Sequence, residues 1–399
     1  MSDAPESQDP ADLRVASREL DGRRPWLIPD EQVPYGHVLH AAAVQRCSPA
    51  AVVSRLAALG YTDIQHSEAS LPDSVDLDDV PLIRDVGAEY SVTWLDVGKP
   101  VSLRQVLESA GQTDRGPATV ARRLTALGYR LGDGDGAQSL PDTPHSGDPV
   151  LISTDRGSYG EWLDWGDEVP TPQVLRAARE LRCSPYAAAT RLLALGLRLP
   201  YTPEPADELL LRSSEEQDLR QGVRWLYWEP PVGHVLAVAQ ELARPAAEIA
   251  ARLAELGYGR PAVPDSPEAD DLVILSEQLN GRSPWLVVNT VVGLSLAHIL
   301  RAALATGRSP SDIAGRLATL GHWLHENAKL PAIADEAEVR LLETVDRSFL
   351  DDVHLENVLR SASLTGRSPA DVASRLTALG YRLPDEVEYP EVRGSLAGS

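Results

Sequence analysis

Apolar positions recur in two spacings along this chain. In the first, residues three before, one after and four after a recurring arginine are apolar, as Val372, Leu376 and Leu379 are around Arg375, which marks one face of a 3.6-residue helix. In the second, short apolar runs such as Val150–Ile152 and Leu272–Leu275 precede polar turns that often contain glycine, among them Asp21-Gly22 and Asn280-Gly281; these read as strands followed by turns. The whole pattern repeats six times. Arg55, Arg123, Arg191, Arg252, Arg316 and Arg375 each precede a Leu, with another Leu at the fourth position and Gly at the fifth. Sixteen residues earlier stands a Leu (Leu39, Leu107, Leu175, Leu236, Leu300, Leu359), always after Val or Ile and always followed three positions on by Ala. Further upstream, Trp26, Trp94, Trp162, Trp225 and Trp285 each precede a Leu, and Phe349 does so in the sixth copy. Self-similarity at a fixed set of offsets is the signature of a repeat architecture.

Within a repeat the punctuation predicts order. The arginine helix has marked ends in the last copy: Ser368 as N-cap, Pro369 at the first helical position, and Gly380 as the left-handed stop. Five copies carry that proline. The fourth has Pro245 one place early and Ala246 at the usual position, which predicts a shifted helix start. An earlier helix begins near the Val-Leu pair, and a third short strand such as Tyr381–Pro384 closes the repeat. The expected fold class is therefore α+β: six tandem units of the order ββααβ, at 1–73, 74–147, 148–206, 207–270, 271–336 and 337–399, the last with a polar tail over Asp385–Ser399. A unit of about 60 to 70 residues buries only about 60% of its unfolded surface, so neighbours gain by packing together. The connectors 132–148 and 260–271 are rich in Gly, Pro and acids, which leaves a rigid array and a flexible string both open.

Composition narrows the function classes. With 59 Asp and Glu against 37 Lys and Arg, the net charge of −22 disfavours any surface whose affinity comes from neutralising phosphates, whether nucleic acid or anionic membrane. Cys47 and Cys183 are too few for a disulfide scaffold or a structural zinc site and fit a reducing cytosol, so a cytoplasmic location is expected. No apolar run approaches the roughly 18 residues of a spanning helix, and Met1–Pro10 is polar and acidic rather than signal-like.

The segment Thr365–Pro384 resembles the second half of a winged helix-turn-helix domain: a capped helix, a glycine, then a strand entering a wing. The whole unit, with its Leu-rich run, Asp-Gly-Arg turn, Pro-Trp-Leu segment and Ser-Pro helix, is similar to the tandem winged-helix-like modules of actinobacterial proteins associated with GHKL or heat-shock-chaperone-type ATPases and predicted conflict systems. The resemblance implies an adaptor or sensor that works beside separate effectors and binds other proteins, an ATPase or effector among them.

No catalytic constellation accompanies the repeat. A phosphate-cradling glycine loop and a nucleophile elbow are both missing, so the chain is expected to be no enzyme and to need no cofactor. On a DNA recognition helix the side opposite the apolar stripe should carry basic groups or amides; here its 24 positions are mostly Ala, Ser and Thr, with one Arg (Arg122) and one Glu (Glu255). A nucleic-acid-binding regulator is thus the alternative to a protein-binding scaffold. The recurring arginine has two readings. In the last three copies Glu248, Asp312 and Asp371 stand four residues before it and predict an intrahelical ion pair; Arg55, Arg123 and Arg191 lack that acid and are the candidate partner-binding residues. His37, His234 and His298 interchange with Gln105, Gln173 and Asn357, which points to a local hydrogen bond rather than to metal or acid-base chemistry. His322 and His325 flank Trp323 without a matching carboxylate, so no metal is expected; the tryptophans read as core anchors, and acidic clusters such as Asp76–Asp79 and Asp351-Asp352 as solvated turns.

Overall fold

The computed structural model describes residues 9–67, 70–87, 93–132, 140–154, 161–213, 225–226, 229–259, 262–287, 294–324, 328–343, 345 and 353–383. Among the described residues each of the six repeats holds three helices. The short leading ones are α1 (Pro10–Ala16), α4 (Leu77–Ile83, wound as a 3-10 helix), α7 (Asp148–Ile152), α10 (Asp207–Leu211), α13 (Asp271–Leu275) and α16 (Glu336–Leu342). The middle helices are α2 (Tyr35–Gln45), α5 (Leu103–Thr113), α8 (Thr171–Leu181), α11 (Val232–Leu242), α14 (Leu296–Thr306) and α17 (Leu355–Thr365). The arginine helices are α3 (Pro49–Ala58), α6 (Pro117–Ala126), α9 (Pro185–Ala194), α12 (Ala246–Glu255), α15 (Pro310–Thr319) and α18 (Pro369–Ala378).

The caps explain this regularity. Ser48, Ser184, Ser309 and Ser368 each accept the N–H three residues on, and a proline fills the first position of α3, α6, α9, α15 and α18. The fourth arginine helix is not shifted: α12 starts at Ala246, the usual offset, with Pro245 in the N-cap place. All six end on a left-handed glycine, from Gly60 at φ 91° to Gly380 at φ 97°. The turn between middle and arginine helices also needs a left-handed residue, and Arg46, Asp114, Arg182 and Ala243 take it at φ 52–54° where Gly307 and Gly366 stand in the last two repeats.

The expected ββααβ order is wrong, and with it the α+β class. Among the described residues no strand forms. The apolar runs Val150–Ile152 and Leu272–Leu275 are helical turns within α7 and α13. Their deepest residues are adjacent, not alternate: Leu151 with Ile152, Ile274 with Leu275. Runs of this length fit a buried helix as well as a strand, and the acid that begins each of these two turns favours the helix. In place of strand ladders there are single bridges, antiparallel between the end of the leading helix and the tryptophan (Ser17 with Trp26, Ser276 with Trp285) and parallel across the wing position (Val33 with Ile64, Leu294 with Leu324). Neither ladder can lengthen at the wing, because Pro34 or the helix N-cap Ser295 follows at once.

The chain clusters into two compact halves, Met1–Pro205 and Ala206–Ser399, of three repeats each. In the first half α2 packs on α4 and α5 on α7; in the second α11 packs on α13 and α14 on α16. Adjacent repeats share hydrophobic core: Leu296, Ala297 and Leu300 of α14 lie in one cluster with Leu341, Leu342, Val358, Val372 and Leu376 of the last repeat. No helix among the described residues is long and apolar enough to cross a membrane.

Candidate functional site

The recurring arginine reaches back to an acid on its own repeat's leading helix. Arg123 grips Asp79 with Nε to Oδ1 at 2.9 Å and Nη2 to Oδ2 at 2.5 Å. Arg191 holds Asp148 at 2.8 and 2.6 Å, Arg252 holds Asp207 at 2.9 and 2.7 Å, and Arg316 holds Asp271 at 2.7 and 2.6 Å. Arg375 takes Glu338, and Arg55 meets Asp12 at 3.2 Å. Parallel N–H···O bonds of this kind are the guanidinium's strongest pairing. The same guanidinium also donates to a carbonyl of the incoming connector: Ser74, Thr143 or Ser266. One side chain therefore joins three segments of the repeat.

The acids are deeply placed, at 1–3% side-chain exposure for Asp79, Asp148, Asp207 and Asp271. Burial alone would raise the Asp79 carboxyl's pKa, but the Arg123 hydrogen bonds, the Asp76 N–H and the charges of Arg123 and Arg115 hold it below the ordinary value. Donating to Asp79 in turn raises the pKa of Arg123, as donating to Asp271 does for Arg316. Asp79 and Asp271 also each accept from the backbone N–H three residues earlier, at Asp76 and Glu268. Asp79 is thus no solvated turn; Asp351 and Asp352 lie outside the described residues. Arg316 and Arg375 choose these acids rather than Asp312 and Asp371 on their own helices. The sequence does carry a signal for the acid: in every repeat it stands three and four residues before the buried apolar pair of the leading helix. Its distance from the arginine is 43–45 residues in the first five repeats and 37 in the last, so a search at one fixed offset does not align it.

A second contact recurs. The carbonyl three residues after that acid accepts a side-chain hydrogen bond from the middle helix in all six repeats: His37 Nε2–H to Val15 at 2.8 Å, Gln105 to Leu82, Gln173 to Leu151, His234 to Leu210 at 2.8 Å, His298 to Ile274 at 2.7 Å, and Ser361 to Leu341. The expected interchange of histidine and amide is this hook; in the last repeat Ser361 makes the bond in place of Asn357. Burial pushes His37 down to about 4 and lowers His234 and His298, which favours the neutral ring. His322 is likewise buried and pushed down to about 4, while His325 lies outside the described residues; no group of His, Cys, Asp and Glu fit to hold a metal occurs among those described.

The tryptophans serve the junctions as well as the cores. Trp26, Trp225 and Trp285 are buried, Trp94 and Trp162 half-buried, and Phe349 lies outside the described residues. Trp94 lies over Gly36 of the preceding repeat, where an added Cβ would come within 2.5 Å of the Trp94 side chain, and its ring sits 5.2 Å from His40. Trp285 covers Gly233 in the same manner, and the Arg104 guanidinium stacks 4.2 Å from the Trp162 ring centroid. Polar bonds seal these junctions: Tyr35 Oη to the Leu127 carbonyl at 2.9 Å, Trp165 Nε1 to the Val101 carbonyl at 3.0 Å, and Leu103 N to Asp164 at 2.8 Å. A cleft of about 600 Å³ opens beside Trp94, lined by Arg18, Arg84, His37 and His40. Cys47 and Cys183 are half-buried, and burial raises the Cys183 thiol's pKa, which disfavours a nucleophilic thiolate.

Opposite the clamps, the outward sides of the arginine helices are mostly small and neutral, with Ala50, Ser54, Ala57, Ala118, Thr125, Ser311, Ala318, Ser374 and Thr377 at or near the surface; Leu193 and Glu255 are exposed exceptions. Arg122 is tied there to Asp142 at 3.4 Å.

Three-helix repeats built around a turn between two capped helices define a tandem helix-turn-helix protein. The family model described as wHTH-Hsp90_Na associated matches residues 7–61, 74–129, 143–197, 202–258, 266–322 and 337–381, and the chain belongs to that family. No curated protein and no solved structure matches the chain.

Proposed function

We propose that the chain is a non-enzymatic scaffold whose tandem helix-turn-helix repeats bind other proteins, as an adaptor or sensor beside an ATPase or effector in a bacterial conflict system. One observation carries this reading: the arginines on which a phosphate-reading helix would depend are spent on internal clamps, so the outward helix faces are left mostly small, with Arg122 and Glu255 as their charges, on a chain of net charge −22. Such a surface suits close approach of another protein's helices and gives a polyanion little to hold. The family description names an Hsp90 association, which fits an ATPase as the neighbour.

The experiment is a pair of measurements on the intact chain. Capture from cells followed by crosslinking should return defined protein partners, and a mobility-shift titration with duplex DNA over a salt series should show no tight binding. Nanomolar DNA affinity that falls steeply with salt would replace this reading with a nucleic-acid-binding regulator.

A further inference from the structure

The middle helices are alike in length, yet α17 keeps in solvent the side that α2, α5, α11 and α14 bury. At the first helical position Tyr35, Leu103, Val232 and Leu296 are 0–6% exposed, and at the fifth Leu39, Leu107, Leu236 and Leu300 are 0–5% exposed. In α17 the same two positions are Leu355 at 37% and Leu359 at 43%. Glu356, Arg360 and Ser363 on that side are exposed as well. Four junctions within the chain show that this side of a middle helix is a packing surface, and α17 retains its apolar residues.

From this we infer that the α17 face is a self-association surface, taken up by α17 of a second copy of the chain in an antiparallel two-fold pair. The residues beside the leucines argue for this occupant. At three other junctions the second position is Gly36, Gly233 or Ala297, and in the remaining one Arg104 stacks on a tryptophan. Glu356 offers neither space nor a cation, and a carboxylate over an aromatic face is repelled by the ring's negative quadrupole. A further tryptophan-bearing repeat therefore fits α17 poorly. In an antiparallel pair, by contrast, the same flank of each helix faces its twin: Leu355 meets Leu359 of the second copy, Ser363 leaves room for close approach, and Glu356 lies opposite the second copy's Arg360. Such a patch is its own complement, as a two-fold interface requires. Arg360 has no ion-pair partner among the described residues. One helix pair buries less than the roughly 1,200 Å² of stable complexes, so the association is weak and reversible. The net charge of −22 on each copy opposes it, so added salt should tighten it.

Sedimentation equilibrium of the full chain, from micromolar to millimolar concentration, tests the inference. A monomer–dimer equilibrium is expected that strengthens with ionic strength. Leu359→Asp should shift it to monomer at unchanged Tm, since that side chain lies outside the last repeat's core cluster. Glu356→Arg and Arg360→Glu should each weaken it about tenfold by creating like-charge pairs, and combining them should restore it. A monomer throughout, a dimer indifferent to Leu359→Asp, or a double variant no better than the singles would each overturn the proposal. So would a chain that dimerises only when shortened after Leu383, which would assign the face to residues 384–399.

Discussion

Repeats 1 and 3 carry the same clamp in two strengths. In repeat 3, Arg191 meets a carboxylate at 2% exposure through two short bonds and donates a third to the Thr143 carbonyl at 3.0 Å. In repeat 1, Arg55 reaches Asp12, at 20% exposure, through a 3.2 Å ion pair, with Gln45 adding a 3.4 Å contact. The arginine is invariant between them; what differs is how far the acid is withdrawn from water. A desolvated carboxylate depends on its guanidinium, whereas a hydrated one does not. Among the candidate partner-binding residues, Arg123 and Arg191 are thus committed to their own repeats. Arg55, with a side chain 38% exposed, is the one whose geometry leaves it most free to serve a partner.

This contrast can be broken most forcefully in repeat 3. Arg191→Ala should cost about 3 to 5 kcal/mol by stranding Asp148, read as lost hydrogen-exchange protection in α9. A loss no larger than that of an exposed pair would mean that burial of the acid is not what matters. The hooks supply the next test, because repeat 1 uses His37 where repeat 3 uses Gln173. A histidine whose folded pKa lies below its unfolded one retains its full stability above the unfolded value of 6.5 and loses it as pH falls toward the folded value of about 4. At about 1.4 kcal/mol per pKa unit, repeat 1 should lose about 3 kcal/mol across that window and repeat 3 nothing from its hook. His37→Gln should abolish this slope in a pH series of α2 hydrogen exchange, while leaving stability at pH 8 nearly unchanged. Arg55→Ala should then cost about 1 kcal/mol or less, as exposed pairs do; if it also spares capture of partners, Arg55 has no recognition role. Smallest of all, Arg46→Gly and Arg182→Gly should each stabilise by about 0.5 to 1 kcal/mol in thermal melts, since both relieve a left-handed residue at φ 53–54°. Unequal gains would show that the two turns are not equivalent.

Much of this was legible along the chain. Six copies, the cap-to-glycine extent of the arginine helices and the apolar stripe with Leu376 at its centre all follow from local periodicity and end chemistry, which need no knowledge of neighbours. The histidine–amide interchange revealed a hydrogen bond without its acceptor. Misreading the leading helices as strands came from apolar runs too short for their period to declare itself. The clamps escaped because the acid stands 43–45 residues before its arginine in five repeats and 37 in the sixth, so no single offset aligns it, and because sequence gives no measure of burial. Local chemistry thus determined the repeat and its helices. Which carboxylate each arginine holds, which leucines a neighbouring repeat covers and which remain in water are long-range matters, decided only when separate segments share one core.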